Sequence, residues 1–308
     1  MQQEALVINN LSKSYGNFKA VNNVSFTVNK GEIMGLLGPN GAGKSTAIRI
    51  IMGILSASSG EVKFLFNGDS SVLDKSKIGY LPEERGLYDD VKVLDNLLYL
   101  AALKGMPPNE AKEEAMNWLE RLNLADYANS KLEKLSKGMQ QKVQFIGAIL
   151  HKPALVVLDE PFSGLDPVNQ DVFKEIILEL GRQGTTVLLS AHQMNVVEEL
   201  CDRIFMINRG KQVLFGSLKE IKQGFKEYIV KITFQDESDI SFLQGKSGVS
   251  KLRREPQSIS FRYAAELGIS DLLQEITEKV KVVEIRAEKP PLHDIFIQTV
   301  QQRGEEIE

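Results

Sequence analysis

The stretch LGPNGAGKST, residues 37–46, decides how this chain is read. Three glycines and a proline in ten positions free the backbone to turn its N–H groups into one concavity, and Lys44, Ser45 and Thr46 follow at once. Gly38, Gly43, Lys44 and Ser45 occupy the fixed places of the pattern G-x-x-x-x-G-K-[ST]. In that pattern small residues let the backbone approach a phosphate, a helix opens with its positive end towards the anion, and the lysine reaches the terminal phosphates. Gly38, Pro39, Asn40, Gly41, Ala42, Gly43, Lys44, Ser45 and Thr46 are therefore the expected nucleotide cradle, with the Ser45 hydroxyl offered to Mg²⁺. The apolar run IMGLL (33–37) and the segment KSTAIRIIMG supply the strand before and the helix after. A glycine-rich turn without a ligand would need neither.

A bound triphosphate also needs its metal held and its attacking water oriented. ALVVLDEP (154–161) ends a buried strand with two acids. Asp159 is placed to hold Mg²⁺, and Glu160 can accept the proton of the water that attacks the γ-phosphate. Paired acids at a strand end can also be a plain solvation device, but the phosphate loop upstream favours chemistry.

Composition narrows the partners. The 37 basic and 41 acidic side chains leave a net charge of −4, so no broad basic surface invites nucleic acid. A single cysteine, Cys201, excludes an internal disulfide. The start MQQEALVINN lacks a basic stretch followed by an apolar core, so no signal peptide is expected. Apolar runs such as ALVVL (154–158) fall far short of the ~20 residues of a spanning helix, so any membrane role works through a partner.

Along the chain, LVINNLSKSYG and VNNVSFTVNKGE alternate at period two, as half-buried antiparallel strands do. IMGLL, ALVVLD and TTVLLSA are nearly continuous apolar runs that suit central strands covered on both faces. Residues 88–150 change to helical periodicity and read as a helical insertion, with Asn109 as the cap of its second helix. A hairpin at 203–216 turns on Asn208, Arg209 and Gly210. Further on, YIVKITF, SISFRYA and KVVEIRA are strand-like and ISDLLQEITEKV is an amphipathic helix with Ser270 as its cap. The expected division is 1–222 for an α/β nucleotide-binding domain with an antiparallel β-subdomain, and 223–308 for a small α+β domain. The tail QQRGEEIE is expected to fray.

In this order the motifs resemble the ATP-binding cassette ATPases, the nucleotide-binding subunits of ABC transporters. Besides the Walker A and Walker B segments, LSKGMQQKV (135–143) resembles the family's signature and SGLDP (163–167) its D-loop, with Asp166. His192 in LLSAHQ falls at the switch position, and Tyr15 in SKSYG matches the aromatic residue that stacks on adenine. The resemblance implies ATP hydrolysis with Mg²⁺, with Lys44, Glu160 and His192 in the reaction. It also implies a two-fold dimer, because Ser136 and Gly138 would receive the γ-phosphate of the ATP bound on the opposite subunit.

The added C-terminal domain and IGYLPEERGLY resemble subunits paired with ABC-2-type permeases, which implies export and a peripheral place on the cytoplasmic face of the membrane. Residues 84–100, with Arg85 and Asp89, would meet the permease. Two other readings stand beside this one: a soluble cassette ATPase of translation or repair, and a regulatory cassette that binds nucleotide without hydrolysis. The single cassette and short insertion argue against the first, and intact Lys44, Asp159, Glu160 and His192 against the second.

Three positions in two motifs depart from the family pattern. The signature has Lys137 and Met139 where glycine and glutamine are common, and Glu83 stands where a glutamine is usual. A carboxylate is the stronger metal ligand, but it places negative charge beside the triphosphate. At ~4 Å and an effective dielectric of 20 that repulsion is worth roughly 4 kcal/mol unless a cation answers it. Glu83 is therefore expected either at the metal or turned to solvent.

Overall fold

The computed structural model describes residues 3–66, 73–84, 86–235 and 240–302. Arg85 and the expected frayed tail beyond Gln302 lie outside the described residues. The chain divides into two compact units, Met1–Ser217 and Leu218–Glu308.

In the first unit, β1 (Glu4–Tyr15) and β2 (Phe18–Asn29) pair antiparallel as their alternation requires, and β4 (Ser59–Phe64) adds to β1. The central sheet is built from β3 (Ile33–Leu37), β5 (Ile78–Leu81), β6 (Leu155–Asp159), β7 (Thr186–Ala191), β8 (Arg203–Asn208) and β9 (Lys211–Ser217). Its order is β5-β6-β7-β3-β8-β9, parallel except for the last pair. Every residue of β3, β6 and β7 is buried, which is why these strands read as unbroken apolar runs. Their carboxyl ends lie side by side, the position from which open α/β sheets present ligand-binding loops. One core joins the two sheets, with Phe26 against Phe205 at 4.5 Å between centroids.

Helix α1 (Lys44–Ile51) follows the phosphate loop. The helical insertion contains α2 (Val93–Leu103), α3 (Pro108–Arg121) and α4 (Lys137–Ile149). Proline at N1 starts α3, with Pro107 as the N-cap, so Asn109 is inside the helix rather than its cap. Ser136 caps α4 as its residue type predicts, accepting from the Met139 N–H at 3.3 Å. Helices α5 (Pro167–Arg182) and α6 (Met194–Leu200) complete the unit.

The second unit has α7 (Leu218–Gly224), β10 (Glu227–Phe234), β11 (Val249–Glu255), β12 (Ser258–Ala264), α8 (Ile269–Lys279), β13 (Val282–Glu288) and α9 (Leu292–Gln302). Its sheet is antiparallel, in the order β11-β12-β10-β13. Val230, Ile232, Ile259 and Phe261 face Leu272 and Ile276 of α8 in a separate core. Helix α8 begins one residue before Ser270, with Gly268 as its N-cap, so the expected serine cap is corrected. Strand β11 escaped the sequence reading because VSKLRRE is mostly charged and its alternation is broken by a bulge.

Candidate active site

The phosphate loop leaves β3 at Leu37 and packs where only glycine fits. A Cβ on Gly38 would stand 2.2 Å from the Ile207 carbonyl oxygen. One on Gly43, whose φ is +108°, would stand 2.3 Å from that of Ala20. Among the described residues no side chain caps α1, and its first turn faces the cleft with the positive end of the helix open to an anion.

Lys44 is buried and reaches back across the loop, its Nζ donating to the carbonyls of Gly38 at 2.8 Å and Pro39 at 3.2 Å. The same Nζ lies 3.7 Å from Glu160 Oε1. The other oxygen of Glu160 meets His192 Nδ1 at 2.8 Å. Glu160 itself has φ +51°, a left-handed conformation that a residue bearing a Cβ seldom adopts and that recurs where side chains are aimed for chemistry. The buried Ser190 hydroxyl holds both acids: it donates to Asp159 Oδ1 at 2.6 Å and accepts from the Glu160 N–H at 3.0 Å. Ser190 carried no motif, but its place in β7, paired across the strands with Asp159 of β6, puts it there.

Burial pushes the Asp159 carboxyl above the usual carboxylate range, and the charges of Glu83 and Glu160 push it further, against the hydrogen bonds from Ser190 and Ser45. Glu83 is an exposed residue, yet its Oε2 lies 3.5 Å from Ser45 Oγ and it lines the phosphate-loop cleft. Its carboxylate faces the site rather than solvent alone. The cleft encloses about 440 Å³. It is lined by Asn40–Thr46, Glu83, Glu160 and, at one side, Tyr15 and Phe18. These two rings flank the β1–β2 turn and are 50% and 63% exposed. Phe18 was missed in the sequence; the signal was its place three residues after Tyr15 in a tight hairpin. A larger cavity, about 550 Å³ around Trp118, contains none of these groups.

Three expected site residues stand apart. Gly38, Pro39, Asp159 and His192 lie outside the cleft lining but bond to Lys44, Ser190 or Glu160, whereas Ser136, Gly138 and Asp166 neither line the cleft nor bond to those groups among the described residues. Ser136 and Asp166 are exposed, and Asp166 caps α5 by accepting from the Asn169 N–H at 3.0 Å. That hydrogen bond holds its carboxyl below the usual range. A Cβ at Gly138 would meet only ordinary contact, 3.8 Å from Leu165 Cδ2.

Residues 21–163 match the family described as "ABC transporter", and residues 216–300 match the "ATP-binding protein DrrA1-3-like, C-terminal domain". The chain is 43% identical to the ABC transporter ATP-binding protein YhaQ of Bacillus subtilis over 96% of its own length and 98% of that protein's. It belongs to the ABC transporter ATP-binding proteins. It is also 31% identical to the linearmycin resistance ATP-binding protein LnrL of the same species, over 94% of this chain and 96% of that one. Among solved structures, a dimeric post-hydrolysis state of an ATP-binding cassette bound to ADP and Pi superimposes with a TM-score of 0.63 at 26% identity, over 69% of this chain and 98% of the cassette. The chain is thus an ATP-binding cassette of the ATPase family with a DrrA-like C-terminal domain. ATP-binding subunits of this family work with a permease and dimerise. Among the described residues, no helix is long and apolar enough to cross a membrane.

Proposed function

We propose that this chain hydrolyses ATP as one half of a homodimer bound to the cytoplasmic face of the membrane, and drives an ABC-2-type permease in export. The observation that carries the reading is the placement of Glu160, between Lys44 Nζ at 3.7 Å and His192 Nδ1 at 2.8 Å. Glu160 is the general base: its carboxylate takes the proton of the attacking water, while His192 fixes its orientation. Lys44 and the open first turn of α1 bind the β- and γ-phosphates, and Tyr15 with Phe18 offers faces for the adenine ring.

The donors fit Mg²⁺. Ser45, Asp159 and Glu83 are all oxygen ligands, and two carboxylates with a hydroxyl are the partial set that Mg²⁺ takes when substrate phosphates and water complete its shell. The raised pKa of buried Asp159, beside two other acids, is the electrostatic strain that a cation there relieves. Bound Mg²⁺ would neutralise phosphate charge and orient the γ-phosphoryl group.

The dimer reading rests on Ser136 and Gly138. Among the described residues nothing requires glycine at 138, and the exposed start of α4 leaves room for a second subunit's γ-phosphate. The permease reading rests on an exposed apolar face, where Tyr88 and Tyr99 meet edge to face at 5.8 Å. Export is supported by the DrrA-like C-terminal match and by full-length similarity to a resistance protein.

The deciding experiment is Glu160→Gln. It should bind ATP as tightly as wild type, lose about 10²-fold or more in turnover, and accumulate as an ATP-dependent dimer in light scattering. Wild-type turnover in Glu160→Gln would remove it from the role of base.

A further inference from the structure

In the second unit, β11 carries an irregularity that changes one face of its sheet. Ser250 pairs with Arg262 and Arg253 with Ser260, so three steps along β11 match only two along β12. One residue is extra, and Lys251 takes a φ of +51° there. Such a bulge re-aims side chains. Val249 and Leu252, three apart, both pack towards the core of Phe261 and Ile276, while Lys251 and Arg253 line a groove. A regular strand would alternate and could not keep both apolar residues inside.

That groove encloses about 430 Å³ against α9 and includes Lys251, Arg253, Ser260, Arg262, His293 and Asp294 in its walls. Arg262 is already committed, to Glu227 at 3.0 Å and Asp294 at 2.7 Å. Asp294 is the single carboxylate among the lining residues, and that ion pair occupies it. The side chains of Lys251 and Arg253 have no hydrogen-bond or ion-pair partner among the described residues. Two unanswered cations therefore share a concave wall with the Ser260 hydroxyl and the His293 ring. A left-handed lysine is an uncommon conformation, and strain of this kind collects at ligand sites. One guanidinium fork and one ammonium beside a hydroxyl match the anionic oxygens of a phosphate group, in a monoester or a diester alike.

We propose that this groove binds a phosphate-bearing anion, either a soluble phosphate compound or a phospholipid headgroup. The site is separate from the phosphate loop and does not depend on ATP hydrolysis.

The test uses the full chain carrying Lys44→Ala, which weakens phosphate binding at the nucleotide cleft. Amide NMR spectra are followed while sodium phosphate replaces sodium chloride at constant ionic strength. Resonances of β11 and α9 should shift and saturate, and adding Lys251→Ala with Arg253→Gln should raise the half-saturating concentration about 10-fold or more. Lys251→Gly is the folding control: it removes the charge while easing the left-handed backbone, so binding should weaken without a fall in Tm. Flotation with phosphatidylglycerol and phosphatidylcholine vesicles separates the two sources. Binding to phosphatidylglycerol alone, lost in the double variant, assigns a headgroup; phosphate saturation without vesicle binding assigns a soluble compound. The proposal is overturned if neither probe binds, if the charge variants leave binding unchanged, or if acetate saturates the same resonances as well as phosphate.

Discussion

Asp159 ends β6 with 1% of its surface exposed, and an ionised carboxyl in such a place is costly. Because its pKa is raised on folding, the native state holds this proton more tightly than the unfolded chain does. Stability from this group is therefore greatest at low pH and falls as pH rises from the ordinary carboxylate value through the raised one. Asp159→Asn should melt higher than wild type at pH 7, by roughly 2–4 °C if the relief is ~1 kcal/mol, with the gain shrinking towards pH 4 and hydrolysis lost. A lower Tm at pH 7 would refute the electrostatic account. Glu83 makes a second prediction at this scale. If it holds the metal through its place beside Ser45, Glu83→Gln raises the Mg²⁺ concentration for half-maximal hydrolysis, and superimposable titrations would deny the contact. That Lys44 and Ser45 follow one buried strand, and that Asp159 and Glu160 stand at the end of another, was legible in the sequence because each motif is local, while the direction Glu83 faces was not, because it is set by a loop packed against another helix.

That helix is α4. Gln144 is buried and its amide donates to the carbonyls of Pro82 at 3.4 Å and Glu84 at 3.2 Å, on both sides of Glu83. One turn earlier, Gln141 donates to the Pro161 carbonyl at 3.3 Å, next to Glu160. A single rigid element thus runs from the signature residues at its start to both acidic loops of its own chain. Gln144→Leu should leave the two carbonyls without this donor, lower Tm by a few degrees and shift the Mg²⁺ titration in the same direction as Glu83→Gln. Combined with Glu83→Gln it should add little to that shift, since both act through one contact. An additive pair would show that Gln144 supports the fold only. The existence and type of α4 were readable from its periodicity and serine cap. Its two glutamine clamps were not, because glutamine at those positions looks like an ordinary helix former until the loops are seen beside it.

For the whole molecule, the proposed dimer would complete each nucleotide site with Ser136 and Gly138 of a second copy, residues that do not line the cleft of their own chain. Complementation makes this measurable. Lys44→Ala disables the phosphate loop and Ser136→Arg the signature, so each variant alone should be nearly inactive. Mixed, they form hybrids in which one site joins an intact loop to an intact signature, and about a quarter of wild-type activity should return at random pairing. An inactive mixture, with hybrids demonstrated by differential tags, would rule out sites shared between subunits.

By itself the sequence determined the phosphate loop, the buried parallel strands, the helical insertion and the presence of a second domain, because each follows from spacing or periodicity within a short stretch of chain. Only the tertiary structure decided what is set by contacts between distant segments. It brought Ser190 under both acids, turned Glu83 towards Ser45, put Phe18 beside Tyr15 and separated the signature from the cleft of its own chain. It also revealed the bulge at Lys251, since a register shift exists only between two strands and is written in neither alone.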